Sequence, residues 1–340
     1  MNLQVLKNCP GTLAEGFDTY SRTCITRVFN SRKVSHILPY SSPGTNNIDS
    51  QKFIENRKRL SISGAQEKLS ILLEKNKLRL TKKGEQGTHI LKPIPRDLNN
   101  VDQVPANEHL TMQIARQVYK IQTAENAMIF FKNGDPAYIT KRFDVKDNHT
   151  KWGKEDFASL AEKTAENSGP DFKYDYSYEK AAELLKKYVP AYTVEIEKLF
   201  SLIIFNYLFS NGDAHLKNFS ILETESGDYL LSPAYDLINT RIHINDAFFA
   251  LSDGLFKDDY YTESFEALGF YAYDDFYEFG LRVGIIKKRV VKIIDTFIKN
   301  DTNVLELVTR SFMNKTTQTE YIKHYRDRLR ALNNSFILKI

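Results

Sequence analysis

The hydrophobic pattern changes its period near Thr150, and this change limits the folds that are open to the chain. Before that point, short apolar runs alternate with turn residues, as in the strands of an antiparallel sheet. These runs cover residues 69–73, 77–80, 89–91, 128–131 and 137–143. One helix is predicted among them, over residues 107–119, because Leu110, Ile114 and Val118 recur at helical spacing.

Beyond Thr150, apolar residues recur mainly at helical spacing. Helices are predicted over residues 157–166, 178–188, 194–210, 285–298 and 317–332, with a short hairpin over 219–231. The pattern therefore predicts an α+β protein with two lobes. Residues 1–143 would form a small, strand-rich N-lobe, and residues 144–340 a larger, mostly helical C-lobe.

The composition is that of a folded protein in a reducing compartment. Of the 340 residues, 42% are hydrophobic and 12% aromatic, enough to bury a substantial core. The net charge is only +4, which does not demand a nucleic-acid partner. Cys9 and Cys24 are too few for a disulfide framework. The longest apolar run, 199–209, is about half a membrane span, so we expect a cytoplasmic location without membrane contact.

A polar loop between a predicted apolar helix and a predicted strand carries the most specific pattern. It reads Asn-Gly-Asp-Ala-His-Leu-Lys-Asn over residues 211–218. Asp213 and Asn218 are five positions apart. With this spacing, a kinase catalytic loop presents a carboxylate to the substrate hydroxyl and an amide oxygen to magnesium. The alternative is an ordinary Asn-Gly-Asp turn whose side chains cap nearby backbone groups.

A second carboxylate, Asp236, follows Asn218 by eighteen residues, within Pro-Ala-Tyr-Asp-Leu at 233–237. A kinase holds its metal-binding aspartate at a corresponding position after the catalytic loop. Asp236 would then chelate magnesium together with phosphate oxygens of ATP. Taken alone, Asp236 fits the N-cap of a helix equally well.

Three upstream features follow the order of a kinase N-lobe. Lys92 ends a predicted strand, from which a kinase lysine reaches the ATP phosphates, and Glu108 opens the predicted helix that would supply its partner. The segment 61–70 has small and polar residues that suit backbone contact with phosphates. Lys92 could also be a solvated lysine, and Glu108 a glutamate favoured by the helix dipole. The segment 61–70 departs from G-x-G-x-x-G, so its pattern alone does not identify a phosphate loop.

Five segments together resemble the HipA family of kinase toxins, in a short form similar to HipT, from about residue 60 to the end. They are Ser-Ile-Ser-Gly-Ala-Gln-Glu-Lys at 61–68, His-Ile-Leu-Lys-Pro at 89–93, Lys-Arg-Phe-Asp at 141–144, Asn-Gly-Asp-Ala-His-Leu-Lys-Asn-Phe-Ser at 211–220 and Pro-Ala-Tyr-Asp-Leu at 233–237. The resemblance implies a bilobal protein-kinase-like fold. It also implies phosphorylation of serine or threonine with ATP and Mg²⁺, on a target such as an aminoacyl-tRNA synthetase, with growth arrest and persistence as the outcome.

The resemblance assigns a role to each matching residue. Asp213 would be the catalytic base, with His215 and Lys217 placing phosphate or substrate, and Asn218 and Asp236 would bind Mg²⁺. The ATP-binding set would be Lys92, Glu108, Gly64, Ala65, Gln66, Lys68, Lys141, Arg142 and Phe143, the last three forming the hinge beside adenine.

Ser61 and Ser63 match the loop serines that this family autophosphorylates to switch itself off. A phosphoserine would add about −1.5 to −2 charge where ATP phosphates should sit. Both serines could also be plain loop hydroxyls. The Ser-x-Ser pair is most similar to HipT, whereas Ala-Gln-Glu-Lys at 65–68 is closer to HipA.

The resemblance also implies partners. Full HipA chains carry roughly a hundred further N-terminal residues, so we expect a small HipS-like protein to complete the upper lobe. A HipB-like DNA-binding antitoxin is expected as well, with DNA contacted only through it. In the stretch 256–279, acidic and aromatic residues indicate either a partner surface or, as we favour, amphipathic helices.

Two rival functions remain open on the sequence. An aminoglycoside-type phosphotransferase would share the two lobes and the Asp213 and Asn218 spacing, although the loop at 61–68 argues against it. A pseudokinase that only holds antitoxin and operator would have no chemical need for Lys92, Asp213, Asn218 and Asp236 together.

Overall fold

The computed structural model describes residues 5–43, 67–96, 98–148, 150–245 and 247–337. The chain forms two compact units. The first comprises Met1–Gln113, Ala124–Lys151 and Glu306–Gln318, and the second comprises Ile114–Thr123, Trp152–Leu305 and Thr319–Ile340.

A five-stranded antiparallel sheet is the centre of the first unit. Its strands are β1 (Leu69–Glu74), β2 (Lys77–Leu80), β3 (His89–Pro93), β4 (Asn126–Phe130) and β5 (Pro136–Lys141). They lie in the order β2-β1-β3-β5-β4, and Lys92 on β3 is opposite Tyr138 on β5. All five strands that the apolar runs predict are confirmed, to within a few residues at their ends.

The segment 5–43 covers one face of this sheet and supplies much of its core. It contains the helix α1 (Arg22–Phe29), which Ser21 caps by accepting a hydrogen bond from the Cys24 backbone N–H. Phe29 is fully buried against sheet residues such as Ile71 and Leu91. The sequence predicts one short helix between the turn signals Pro10-Gly11 and Ser41-Ser42-Pro43-Gly44, and α1 confirms it. The rest of the segment is polar and irregular in sequence, and its scattered apolar residues belong to the same core as strands far along the chain.

The helix α2 (Val104–Gln117) follows β3 and carries Glu108. It begins three residues before the predicted start at Asn107, because a single 3-10 turn (Val101–Gln103) leads directly into it. Almost every side chain from Val104 to Ala115 is buried, including polar ones such as Asn107 and His109. Such burial fixes the rotation of the helix and therefore the direction of Glu108.

The second unit is mainly helical. Within the described ranges, the helices that follow are, in chain order, α3 (Phe157–Leu160), α4 (Ala165–Ser168), α5 (Tyr178–Tyr188), α6 (Tyr192–Leu208), α7 (Glu263–Leu268), α8 (Tyr273–Arg282), α9 (Lys287–Ile298), α10 (Asp301–Arg310) and α11 (Lys315–Leu332). A small antiparallel sheet of β6 (Lys154–Asp156), β7 (Ser220–Glu223) and β8 (Tyr229–Leu231) accompanies them. The α+β class is thus confirmed. No helix within the described ranges is long and apolar enough to cross a membrane.

One predicted helix is wrong in its extent. The prediction over 157–166 corresponds to two short helices, α3 and α4, because Glu162 adopts a left-handed backbone conformation with φ of 56°. Thr164 then caps α4. The acidic, aromatic stretch 256–279 contains α7 and most of α8, as expected for amphipathic helices.

Candidate active site

The loop after α6 is held in place by its own backbone and by Thr240. Ser210 has a φ of 51°, which turns the chain out of the helix. The Thr240 hydroxyl accepts a hydrogen bond from the Gly212 N–H (2.8 Å) and donates one to the Ser210 carbonyl (3.0 Å). Asn211 Oδ1 accepts a hydrogen bond from the Asp213 backbone N–H at 3.3 Å. The backbone that leads into Asp213 is therefore held by hydrogen bonds.

The Asp213 carboxylate is half exposed and is anchored through one oxygen. Oδ1 accepts a hydrogen bond from the Tyr174 hydroxyl at 2.8 Å and lies 3.7 Å from Nε2 of His215. Oδ2 has no hydrogen-bond partner in the described part of the protein. Because Asn211 rather than Asp213 caps the turn, the reading of Asp213 as a simple capping residue does not fit this geometry.

His215 lies beside Asp213 as a buried, neutral ring. Its edge meets the Tyr174 ring, with centroids 5.1 Å apart. Burial lowers the pKa of His215 to about 4, although the carboxylates of Asp213 and Asp236 raise it. At neutral pH, His215 can therefore contact a phosphate or a hydroxyl by hydrogen bonding, but not as a cation.

Asp236 follows Tyr235, which is hydrogen-bonded to the end of the loop that carries Asp213 and to β7. The Tyr235 hydroxyl donates to the Lys217 carbonyl (2.8 Å) and shares a hydrogen bond with the Ser220 hydroxyl (2.6 Å). Asp236 itself has a left-handed φ of 57°, which is uncommon outside glycine. The next helical turn, Thr240–Ile242, has Asn239 at its N-cap, so Asp236 is not the cap that the alternative required.

Asn218 and Lys217 lie in the 3-10 turn Leu216–Asn218 that leads into β7. Asn218 is partly exposed, and its side-chain amide makes no hydrogen bond within the described ranges. Lys217 is exposed, with its Nζ 5.3 Å from the centre of the Phe172 ring.

Lys92 and Glu108 form a buried ion pair in the first unit. Lys92 Nζ lies 2.5 Å from Glu108 Oε1, and the two side chains are 3% and 2% exposed. The ammonium also lies 5.4 Å from the centre of the Tyr138 ring. The alternatives of a solvated lysine and of a glutamate held only by the helix dipole are therefore wrong. Taking two charges out of water is costly, so such a pair is weak evidence for stability and leaves a functional reason open.

In the predicted hinge, Lys141 and Arg142 direct their charged groups toward other side chains of the same protein. Lys141 Nζ donates to Asn30 Oδ1 at 2.6 Å. Arg142 makes two hydrogen bonds to the Asp144 carboxylate, at 2.9 and 2.6 Å. A nucleotide would therefore meet the backbone of this segment or Phe143 rather than those two charges. Lys68 is partly buried just before β1. Ser61, Ser63, Gly64, Ala65 and Gln66 lie outside the described residues.

The oxygen donors of the second unit fit a magnesium ion that is shared with a nucleotide. Asn218 and Asp236 offer an amide and a carboxylate oxygen from two bonded segments. The described ranges contain no group of three or more His, Cys, Asp or Glu side chains that could hold a metal by themselves. Mg²⁺ is usually bound by one or two carboxylates together with substrate phosphates, so this sparse donor set suits it.

Two residues of the site have no signal in the sequence pattern. Tyr174, which anchors Asp213, lies 39 positions before it, in an aromatic stretch without helical or strand period. Thr240, which holds the loop, lies 28 positions after Gly212. Both contacts depend on tertiary folding, and local spacing cannot reveal them.

Residues 60–304 match the model of the HipA-like C-terminal domain. The chain belongs to this family. The resemblance that the five sequence segments suggested is thus confirmed, since the match covers most of the chain.

Relatives of this HipA-family chain carry kinase names. A protein of Haemophilus influenzae named "Putative kinase" is 26% identical over 94% of both chains. "Putative kinase Y4mE" of Sinorhizobium fredii is 32% identical over 54% of this chain but only 43% of its own length. The chain therefore spans nearly all of the first relative and less than half of the second.

Two solved structures share the fold. The Shewanella oneidensis toxin HipA, in complex with HipB and operator DNA, matches 86% of this chain and 72% of its own, with a TM-score of 0.60 and 18% identity. The Helicobacter pylori proinflammatory kinase CtkA matches 77% of this chain and 93% of its own, with a TM-score of 0.51 and 16% identity. At these identities the matches establish the fold, and they confirm the predicted protein-kinase-like class.

Proposed function

We propose that this chain is a serine/threonine protein kinase that uses ATP and Mg²⁺. The observation that carries the proposal is the anchoring of Asp213, whose Oδ1 is held by Tyr174 while Oδ2 is available to a substrate hydroxyl. The kinase names of its relatives and the buried Lys92 and Glu108 pair support it.

In this proposal, Asp213 Oδ2 accepts the proton of the substrate hydroxyl as its oxygen attacks the γ-phosphorus of ATP, and the bond from that phosphorus to the bridging oxygen breaks to release ADP. General-base assistance of this kind contributes typically about 10² to 10⁴ in rate. Lys92, oriented by Glu108, binds phosphate oxygens, and neutral His215 and Lys217 place the substrate or the phosphate. Asn218 and Asp236 would hold Mg²⁺, which when bound offsets the negative charge of the phosphates.

We further propose that the chain is a toxin in a type II toxin-antitoxin system. The Shewanella oneidensis HipA was solved with HipB and operator DNA, which supports a HipB-like antitoxin as the partner of this chain and contact with DNA through that partner. The target would be a cytoplasmic protein such as an aminoacyl-tRNA synthetase. A HipS-like partner also belongs to the proposal, as does silencing of the kinase by phosphorylation of Ser61 or Ser63.

The experiment is phosphate transfer from radiolabelled ATP with Mg²⁺ to three acceptors in parallel: the chain itself, a panel of purified aminoacyl-tRNA synthetases, and an aminoglycoside. Asp236→Ala should abolish transfer, and Asp259→Asn, an exposed aspartate between β8 and α7, should leave it unchanged. Label on phosphoserine or phosphothreonine supports the proposal. Label on the aminoglycoside alone would instead identify a small-molecule phosphotransferase, and nucleotide-independent antitoxin binding without any transfer would identify a pseudokinase.

A further inference from the structure

A cavity of about 420 Å³ lies within the second unit, apart from Asp213 and its neighbours. Its walls come from the loop after α2, from α6, from the end of β8 and from α9. The volume lies within the range of small-molecule sites, roughly 300 to 1,000 Å³. The lining is more apolar than polar, and Val194 at its wall is 59% exposed. An apolar wall of this kind, open to water, is a feature of ligand pockets.

The charges that line the cavity are mainly positive. Lys120, Lys198 and Arg289 contribute cations, and Glu197 is the acid among the lining residues. Lys198 is paired with the buried carboxylate of Glu195, with its Nζ 2.6 Å from Glu195 Oε1. Glu197 is already engaged, since Arg289 makes two hydrogen bonds to its carboxylate, at 2.9 and 2.5 Å. Lys120 Nζ donates to the neutral Gln117 carbonyl at 2.7 Å and has no acidic partner in the described part of the chain. The cavity therefore favours a ligand with an apolar body and a negative head.

One wall of the cavity is the backbone that leads to Asp236. Leu231, Ser232 and Ala234 line the cavity. The Ala234 N–H donates to the carbonyl of Gln122, another lining residue, at 2.8 Å. The Leu231 N–H donates to Glu195 Oε2 at 3.1 Å. A ligand that contacts these residues therefore acts on the segment whose left-handed Asp236 follows two residues later.

We propose that this cavity is a regulatory site for an amphipathic organic anion, such as an aryl or alkyl carboxylate, sulfonate or phosphate, and that its ligand stabilises the segment 231–237. The apolar body packs on Val194, Leu202 and Ile293, and the negative head meets Lys120, whose Nζ bonds only a neutral carbonyl in the described part of the chain. The regulatory consequence rests on the proposed kinase function, because Asp236 belongs to that site. Binding and backbone stabilisation do not depend on it.

The test uses anilinonaphthalene sulfonate as the probe, with N-phenylnaphthylamine as its counterpart without the sulfonate. Ser201→Phe fills the cavity from α6, where the serine hydroxyl bonds only to the Glu197 carbonyl. Thr193→Phe places the same ring on the same helix at an exposed position that does not line the cavity. Fluorescence titration of the full chain should show one binding site, weakened about tenfold or more in Ser201→Phe and unchanged in Thr193→Phe. Lys120→Gln should weaken the sulfonate but not the neutral probe.

Hydrogen exchange supplies the second measurement and requires no nucleotide. The probe should slow exchange of the Ala234 amide about threefold or more in the wild-type chain and leave it unchanged in Ser201→Phe. Three results would each overturn the proposal. They are equal affinity of Ser201→Phe and Thr193→Phe for the sulfonate, binding of the neutral probe to the wild type as tight as that of the sulfonate, and unchanged exchange at Ala234 in the wild type. Absence of ATP binding, in contrast, would overturn the proposed kinase function while leaving these two measurements valid.

Discussion

The buried Lys92 and Glu108 pair of the first unit and the Asp213 carboxylate of the second unit differ in how far their charges are exposed to water. Lys92 and Glu108 are almost wholly removed from water and satisfy each other at 2.5 Å. Asp213 keeps half of its side chain exposed and, among the described residues, is bonded through one oxygen only. The first arrangement fixes a cation in one position, whereas the second leaves an oxygen available for proton transfer. In the proposed kinase, this difference would separate the residues that hold the nucleotide from the residue that takes the proton.

The largest effect should come from breaking the buried pair. Glu108→Ala leaves the Lys92 ammonium buried without its carboxylate, so we expect the free energy of unfolding to fall by about 3–5 kcal/mol. Urea unfolding followed by circular dichroism measures it. The double variant Lys92→Met with Glu108→Leu should recover most of that loss while remaining unable to bind ATP phosphates. A double variant as unstable as Glu108→Ala would show that packing, not the unpaired charge, causes the effect.

A smaller effect should follow when Asp213 loses its anchor. Tyr174→Phe removes one hydrogen bond to a charged group, worth about 1.5–3 kcal/mol. Because Asp213 is half exposed, water can replace the lost tyrosine hydroxyl, and we expect only the lower part of this range. This corresponds to about a tenfold drop in kcat. The free energy of unfolding and the KM for ATP should stay the same. The matched control is Tyr188→Phe at the end of α5, away from Asp213, and equal losses in both variants would contradict the anchoring role.

The smallest expected effect is on the pH dependence of the free energy of unfolding, and it comes from His89 in the core of the first unit. Burial lowers the pKa of His89 to about 4, and its Nε2 hydrogen-bonds with the Val28 carbonyl at 2.8 Å. The unfolded chain binds this proton near the ordinary value of 6.5, so between pH 6.5 and 4 it holds more protons than the folded chain. Stability is therefore full above pH 6.5 and falls as pH drops toward 4. The slope from one such group is at most about 1.4 kcal/mol per pH unit.

In His89→Gln, the fall in stability between pH 6.5 and 4 should be shallower than in the wild type, although absolute stability at pH 7 also drops. Chemical unfolding at several pH values gives this slope. His36→Gln serves as the control because His36 is less buried. A slope unchanged by His89→Gln would mean that other groups cause the acid sensitivity.

Local patterns predicted those parts of the fold that depend on local periodicity. Short apolar runs predicted the strands around Lys92, and a longer apolar run predicted the buried helix α6. The candidate site was indicated by the order of five residues, Lys92, Glu108, Asp213, Asn218 and Asp236. In the segment 5–43 that covers the sheet, only α1 has a period to detect, because the other apolar residues of the segment are scattered in the sequence. The break at Glu162 depends on a single backbone angle.

The same limit applies to the site itself. The sequence places Asp213 and Asn218 on one loop, but the contact that orients Asp213 comes from Tyr174, and the contact that fixes the loop comes from Thr240. The exposed oxygen of Asp213 and the neutral state of His215 are consequences of burial and of neighbours distant in sequence. Pattern therefore indicates which residues take part, and tertiary contacts decide how each one acts.

The most direct test of the central claim is to measure nucleotide binding and phosphate transfer on the same sample of Asp213→Asn. The substitution keeps the shape of the side chain but removes the base. The account predicts ATP affinity within about threefold of the wild type and phosphate transfer reduced by about 10² to 10⁴. Transfer at the wild-type rate with intact ATP binding would contradict the assignment of Asp213 as the catalytic base.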